Sequence, residues 1–311
     1  MTLESPIAGA SSMSDVLVAG ATGALGLCIS TLLRERGVGV RALVRPTAAA
    51  GVRARLEAVG VEAVPGDLED PGSLLHAVEG VSCVVSTATS FPHDDRVDAL
   101  EHVDAAGNVA LVDAAEAAGV PRFVFVSFRP VAIDFPLQRA KRAVEQRLAH
   151  ASLDAVVLRP GKFMDIWFTP LCGFDPAAGR ATLFGSGDSP VTWIAARDVA
   201  EITARSALDE GPRSGTIELG GPEALSQREV VARFEQALGI AFALDEIPTA
   251  QLEQQRTEAR HPVQESLAAL MLETERGAVA DTTAMLAAFP LEPTTVAGFA
   301  EGVARDLRRA D

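Results

Sequence analysis

Three glycines in the segment Val18-Ala19-Gly20-Ala21-Thr22-Gly23-Ala24-Leu25-Gly26 stand between a short apolar run and a helix-like pattern. The spacing suits one chemical task. Gly20 permits a tight turn out of a strand, Gly23 lets backbone N–H groups approach a pyrophosphate, and Gly26 lets the following helix pack closely on the sheet. The N-terminus of that helix adds partial positive charge for the phosphates. Gly20, Thr22, Gly23, Ala24, Leu25 and Gly26 are therefore expected to form a dinucleotide-binding turn. A second signal lies at the end of the next apolar run, Val40-Arg41-Ala42-Leu43-Val44-Arg45-Pro46. An NAD-binding protein usually places an acid there to hold the ribose hydroxyls, but this chain has none until Glu57. Arg45 occupies the carboxyl tip instead, with a planar fork suited to a 2′-phosphate. The expected cofactor is NADP(H). Arg41, four residues earlier on the same strand, shares its face but not its depth.

Such residues need a sheet to hold them. From about Asp15 to Pro160, β-branched apolar runs at 16–19, 38–44, 61–64, 81–85, 122–126 and 155–158 alternate with longer amphipathic stretches. This is the βαβ pattern of a parallel sheet covered on both faces. Asp70-Pro71 supplies a helix N-cap with proline in the first turn, and Gly80 closes that helix. The alanine-rich stretch 109–118 ends at Gly119-Val120-Pro121, a helix stop followed by a strand. The predicted fold is α/β, a Rossmann-type doubly wound parallel sheet with a smaller C-terminal substrate lobe. Residues 1–13 read as a flexible tail, 14–160 as an NADP-binding domain, and 161–311 as the lobe, whose chain crosses back to the sheet. Helices are expected at 198–208, 226–238, 263–272 and 296–307, with a short strand at 216–219.

Composition narrows the function. The 311 residues carry 27 basic and 42 acidic side chains, a formal net charge of −15, which makes nucleic acid and anionic membranes unexpected partners. No apolar run reaches the roughly 18 residues of a membrane span. The N-terminal stretch has neither a basic nor an apolar signal region, so a cytoplasmic location is expected. Three widely spaced cysteines and five histidines show no metal-ligand spacing, and no metal is expected. The chain has 13 Phe and 2 Trp but no Tyr, so no step can use a phenol from the protein.

The ordered set of Gly20-Ala-Thr-Gly23-Ala-Leu-Gly26, Arg45 and Gly66-Asp67-Leu68 resembles the short-chain dehydrogenase/reductase superfamily. Leu158-Arg159-Pro160-Gly161-Lys162-Phe163-Met164, Arg197-Asp198-Val199-Ala200 and Leu219-Gly220-Gly221-Pro222 resemble its atypical, NmrA-like branch. The resemblance implies that Asp67 and Leu68 lie against the adenine. It also implies that Thr87, Ala88 and Thr89 run along the cofactor and that Pro160 turns near the nicotinamide. Typical members carry a serine or threonine after strand five and a Tyr-x-x-x-Lys on the next helix, where the lysine lowers the tyrosine pKa and holds the ribose. Here Ser127 approximates the first and Lys141 the last, but Leu137 occupies the tyrosine position. Ser127 and Lys141 are the catalytic candidates, with Arg129 an alternative to Ser127 in the loop. Antibiotic-pathway ketoreductases of the angucyclinone (simocyclinone) type are similar in lacking the phenol.

Beyond the expected nicotinamide end, Phe163, Met164 and Trp167, with Phe91 and Trp193 as neighbours, offer walls for a flat aromatic or polycyclic ligand. The same residues also suit an interdomain core. Without a phenol, an NADPH-dependent reductase needs an acceptor that helps carry its own oxyanion, such as a quinone or a phenol-chelated ketone. Two other readings remain: an NADP(H)-sensing regulator that binds a partner protein, and an assembly subunit that retains a nucleotide.

Overall fold

The computed structural model describes residues 15–310. The tail expected at 1–13 lies outside the described residues. Along the first half run β1 (Val16–Ala19), α1 (Ala24–Glu35), β2 (Val40–Val44), α2 (Ala50–Ala58), β3 (Glu62–Pro65), α3 (Pro71–Val78) and β4 (Cys83–Ser86). A π-wound segment, Leu100–Gly107, then leads directly into α4 (Asn108–Ala117), followed by β5 (Arg122–Val126), α5 (Pro136–Ala149) and β6 (Asp154–Pro160). The second half contains β7 (Lys162–Phe163), α6 (Met164–Trp167), β8 (Phe174–Asp175), β9 (Arg180–Phe184), β10 (Val191–Ile194), α7 (Ala196–Ala207), β11 (Gly215–Leu219) and β12 (Ala224–Leu225). It ends with α8 (Gln227–Leu238), β13 (Ala243–Ile247), α9 (Thr249–Glu258), α10 (Pro262–Arg276), α11 (Thr283–Ala288) and α12 (Val296–Ala310).

Seven strands form one parallel sheet in the order β11-β6-β5-β4-β1-β2-β3. Its apolar runs are continuous because both faces are covered. Val16, Val18, Val85 and Val124 pack with Ile29 and Leu33 of α1 and Val199 and Ile202 of α7. Leu17, Val84, Phe123 and Phe125 face the other way, toward Leu74 of α3, Leu111 of α4 and Val144 of α5. The period of two along each strand thus feeds two separate cores. Strand order reverses between β1 and β4, which leaves a crevice beyond their carboxyl ends.

The seventh strand extends the expected segment 216–219 by one residue and joins the main sheet beside β6, after α7 has crossed under it against α1. Its pattern is half polar because it is an edge strand, and only Ile217 and Leu219 point fully inward. The remaining strands form two small sheets, β12-β10-β7 and β13-β9-β8. Around them an aromatic cluster of Phe168, Phe174, Trp193, Phe234 and Phe242 packs under α8 and α12. α10 then returns to the first half, where Val263 and Ala269 meet Phe135 and Leu137 at the start of α5. Among the described residues no helix is long and apolar enough to cross a membrane.

Candidate functional site

The glycine turn opens at the β1–β4 crevice. Gly20 has φ +87°, and a Cβ there would lie 2.6 Å from Thr87 Oγ1 and 2.8 Å from the Ala88 nitrogen. A Cβ on Gly26 would lie 2.3 Å from the Gly20 carbonyl oxygen, so the helix is seated directly on the turn. The N-cap of α1 is Gly23, with no side-chain cap and no acid in the first turn. Its leading N–H groups therefore face outward along an exposed rim of Thr22, Gly23 and Ala24, with Leu25 half-buried behind them. These features fit a diphosphate: close backbone approach, outward donors and a positive helix end.

Arg41 and Arg45 separate cleanly. The Arg41 Nε donates to Asp15 at 2.8 Å and its Nη1 to the Glu79 carbonyl at 2.8 Å, toward the opposite end of the sheet. Arg45 is exposed at the crevice end and, among the described residues, makes no side-chain hydrogen bond or ion pair. It faces a polar group in which Arg96 grips Glu69 at 3.0 Å through both terminal nitrogens. Hydrogen bonds from Arg96, with smaller contributions from the Arg96 and Arg45 charges, hold the Asp94 carboxyl below the usual carboxylate range. Nearby, Asp67 Oδ1 accepts the Glu69 N–H at 3.1 Å. Leu68 is buried so tightly on the π-wound segment that a Cβ at Gly107 would sit 2.7 Å from its own.

Beneath the β4 tip lies a buried polar cluster that residue spacing did not single out. Asp104 is fully buried and accepts from Thr89 Oγ1 at 2.5 Å, the Ser90 N–H at 2.8 Å and Ser90 Oγ at 2.6 Å. The Lys141 ammonium stands 3.5 Å from it, 3.3 Å from the Ala88 carbonyl and 5.2 Å over the Phe125 ring. Burial pulls the Lys141 pKa below the ordinary lysine value, and the Asp104 charge opposes that shift. The π-wound turn loosens the carbonyls of Val103 and Asp104, which Asn108 Nδ2 satisfies at 3.0 and 3.3 Å. Two inward polar residues one turn apart on an otherwise apolar helix face, Asp104 and Asn108, were the signal in the sequence. Thr87, Ala88, Thr89 and Lys141 thus come together, with Lys141 clamping this segment from below.

Ser127 extends β5 on the side facing α5, and its Oγ accepts from Arg142 Nη2 at 3.2 Å. Arg129 turns away to Glu218 of β11 at 3.3 Å, while its N–H meets the Pro160 carbonyl at 3.3 Å. Leu137 is 5% exposed and belongs to the apolar cluster with Leu100, Phe135 and Val263. The position that the short-chain dehydrogenase/reductase resemblance assigns to a phenol is here a contact with α10.

The expected ligand walls divide. Met164 and Trp193 are 0% and 2% exposed, and Trp193 Nε1 donates to the Leu225 carbonyl at 2.9 Å. The structure makes both of them lobe core: inward-facing positions on β10 and at the start of α6 leave no surface for a ligand. The cavity beside Trp193, lined also by Phe168 and Phe174, holds about 20 Å³, room for a single water. Phe91, Phe163 and Trp167 stay half-buried. Phe91 packs in the Leu137 cluster and Trp167 against Leu272 and Met271 of α10, the two groups meeting at Ile133. Lys162 lies 4.6 Å over the Trp167 ring and pairs with Glu273 of α10 at 2.6 Å. Burial pushes the Cys83 thiol up to about 12 and Cys172 up to about 11, so neither is a thiolate at neutral pH.

The NmrA-like family model matches residues 12–300. An NAD(P)H azoreductase from Xenophilus azovorans is 31% identical over 262 residues, 83% of this chain and 85% of that protein. The photosystem II assembly factor Ycf39 of Trieres chinensis is 29% identical over 240 residues, 75% of this chain and 72% of that protein. Among solved structures, the NADPH complex of the quinone oxidoreductase QOR2 from Escherichia coli superposes with a TM-score of 0.74. It covers 93% of this chain and 99% of its own at 20% identity, a likeness of fold.

Proposed function

The chain belongs to the NmrA-like family, and on that premise we propose that it is an NADPH-dependent reductase. In this reading it transfers hydride to a ketone or quinone of an aromatic or polycyclic acceptor. The observation that carries the reading is the crevice between β1 and β4. There the uncapped start of α1 and the glycine seat lie beside the carboxyl tip of β2, where the exposed Arg45 has no hydrogen-bond or ion-pair partner among the described residues. The bound dinucleotide would supply the hydride. The N–H groups of Ala24 and Leu25 hold its diphosphate, the Gly23 N–H being spent on the Gly20 carbonyl at 3.1 Å. Arg45 holds its 2′-phosphate, and Asp67 and Leu68 border the adenine. Thr87, Ala88 and Thr89, clamped by Lys141 and Asp104, form the shelf along its length, and Pro160 bounds the nicotinamide end. Phe91, Phe163 and Trp167 offer apolar edges to the acceptor.

The missing phenol narrows the acceptor class. Hydride addition to an isolated ketone leaves a strongly basic alkoxide, whereas a quinone is reduced to a hydroquinone anion. A ketone chelated by a neighbouring phenol takes that phenol's proton and leaves a phenolate whose charge is spread over the ring. An aromatic polyketide fits the second description, which places an antibiotic-pathway role within reach of this reading. The names of the azoreductase and quinone oxidoreductase among the similar proteins support an aromatic acceptor.

The test is NADPH oxidation, followed by absorbance, against quinones, flavins and phenol-chelated polycyclic ketones, with NADH as the control. Turnover on an aromatic acceptor with NADPH preferred is the expected result. In Arg45→Ala the KM for NADPH should rise roughly 10- to 100-fold while that for NADH stays near its original value, since a charge-assisted hydrogen bond contributes about 1.5–3 kcal/mol. A second reading, a nucleotide-retaining assembly factor or sensor, is favoured by Leu137 at the phenol position and by the Ycf39 relative. Tight NADPH binding without oxidation of any acceptor would establish that reading over the first.

A further inference from the structure

The bond between Arg142 and Ser127 has a direction. A guanidinium only donates, so Arg142 Nη2, 3.2 Å from Ser127 Oγ, occupies a lone pair of the hydroxyl. The same nitrogen reaches the Phe128 carbonyl at 2.5 Å, while Nη1 lies 2.9 Å from Glu145, which also holds Arg159 at 2.6 Å. The fork is therefore fixed from two sides. Among the described residues the Ser127 hydroxyl donates its own hydrogen to no acceptor. Among the described residues Arg129, Arg142 and Arg159 pair with Glu145 and Glu218 alone, which leaves one positive charge in excess beside that hydroxyl. Lys141, the next cation on α5, is balanced by Asp104.

We propose that Arg142 is a positioning residue that makes Ser127 the hydrogen-bond donor this chain uses in place of a phenol, with the oxyanion of the reduced acceptor as its ligand. The inference rests on the reductase reading. When the acceptor carbon gains hydride, its carbonyl π pair settles on oxygen. The Ser127 O–H donates to that oxygen, its proton passes across, and Ser127 recovers a proton from water. A serine hydroxyl alone is a poor acid. A guanidinium at hydrogen-bond distance stabilises the developing alkoxide charge and strengthens the O–H as a donor. Arg142 does this without touching the acceptor.

The test separates this inference from turnover. The full chain is saturated with NADP⁺ and titrated with a nitrophenol, whose phenolate mimics the product oxyanion and whose ionisation is read by absorbance. The bound phenol is expected to ionise at lower pH than the free one. Arg142→Met and Ser127→Ala should each weaken phenolate binding roughly 10- to 100-fold, the scale of losing or weakening one charge-assisted hydrogen bond. NADP⁺ affinity should stay near the parent value in both. The thermal midpoint should hold in Ser127→Ala and fall modestly in Arg142→Met, where Glu145 keeps Arg159 but the Phe128 carbonyl loses its donor. The double variant should lose no more than Ser127→Ala, as required of a residue that acts through another. Arg142→Lys, which keeps the charge without the fork, should recover part of the loss and guards against a misfolded methionine variant.

Unchanged phenolate affinity in Arg142→Met, full additivity in the double variant, or no phenolate binding to the parent protein would each overturn the proposal. No hydride moves in this titration. A chain that binds phenolate in this way yet oxidises no NADPH would fault the reductase reading and leave the Arg142–Ser127 donor standing.

Discussion

Replacing Asp104 by alanine is expected to lower stability by roughly 3–5 kcal/mol, the cost of removing one member of a buried ion pair. Thr89 Oγ1, the Ser90 N–H and Ser90 Oγ would lose their common acceptor, and Lys141 would be left charged in an apolar setting between Phe125 and the Ala88 carbonyl. Thermal unfolding should shift down by about 6–15 °C at the usual sensitivity of a chain of this size. The pH dependence carries the diagnosis. In the parent chain burial lowers the Lys141 pKa and Asp104 opposes it, so the variant pKa falls further. Between that lowered value and the ordinary lysine value of about 10.4 the unfolded chain holds a proton that the folded chain has lost. Protons bound are then greater in the unfolded state, and stability rises with pH through that window. The Asp104→Ala variant should therefore regain part of its loss as pH rises toward 10, more steeply than the parent chain. Asp104→Leu combined with Lys141→Met removes both charges and should recover the part of the loss that comes from the unpaired ammonium, while Thr89 and Ser90 still lack their acceptor. A flat pH response in Asp104→Ala would show that Lys141 escapes to solvent there and that the pair is not a clamp on the β4 tip.

The second large effect divides two glycines that look alike in the sequence. Alanine at Gly26 would place a Cβ 2.3 Å from the Gly20 carbonyl oxygen and 2.8 Å from Ala21 Cα. Backbone cannot yield cheaply, so α1 must lift from its turn. That should cost about 1–3 kcal/mol in stability. It should also weaken NADPH binding by roughly 100-fold or more, because several charge-assisted N–H contacts move together. Gly23→Ala differs. Its Cβ would meet only the Gly20 oxygen, at 3.5 Å, and its φ of −84° suits any residue. The apo protein should melt at its original temperature, while a dinucleotide brought close to that backbone would be pushed away. Calorimetric melting and NADPH titration of both variants check this directly. Equal NADPH affinity in Gly23→Ala and the parent would place the diphosphate elsewhere.

Much of this architecture was readable from local pattern. β1 and β5 occupy the spans that their apolar runs predict, and the capping pair Asp70-Pro71 does begin α3, with Asp70 accepting from the Gly72 N–H. Such features depend on residues within one turn or one strand. The edge strand β11 was less legible, because exposure on one side mixes polar residues into it. Met164 and Trp193 show the limit most plainly. An apolar side chain in a Gly- and Pro-rich segment has the same sequence signature whether it lines a ligand site or a core, and only the packing of α8 and α12 over β10 seals Trp193.

The site followed the same division. By itself the sequence determined the glycine turn, its place at the head of a parallel sheet, the basic tip of β2 and the absence of any phenol. Each of these is a matter of residue type, spacing or strand period. Only the tertiary structure decided which charges are free and which are spent. It bound Arg41 to Asp15 and left Arg45 open, turned Arg129 to Glu218, sank Lys141 onto Asp104, and brought Arg142 to Ser127. Those pairings join elements far apart in the chain. Their energies come from burial and from complementary charge brought within a few ångströms, quantities that exist only once the sheet and its helices have packed.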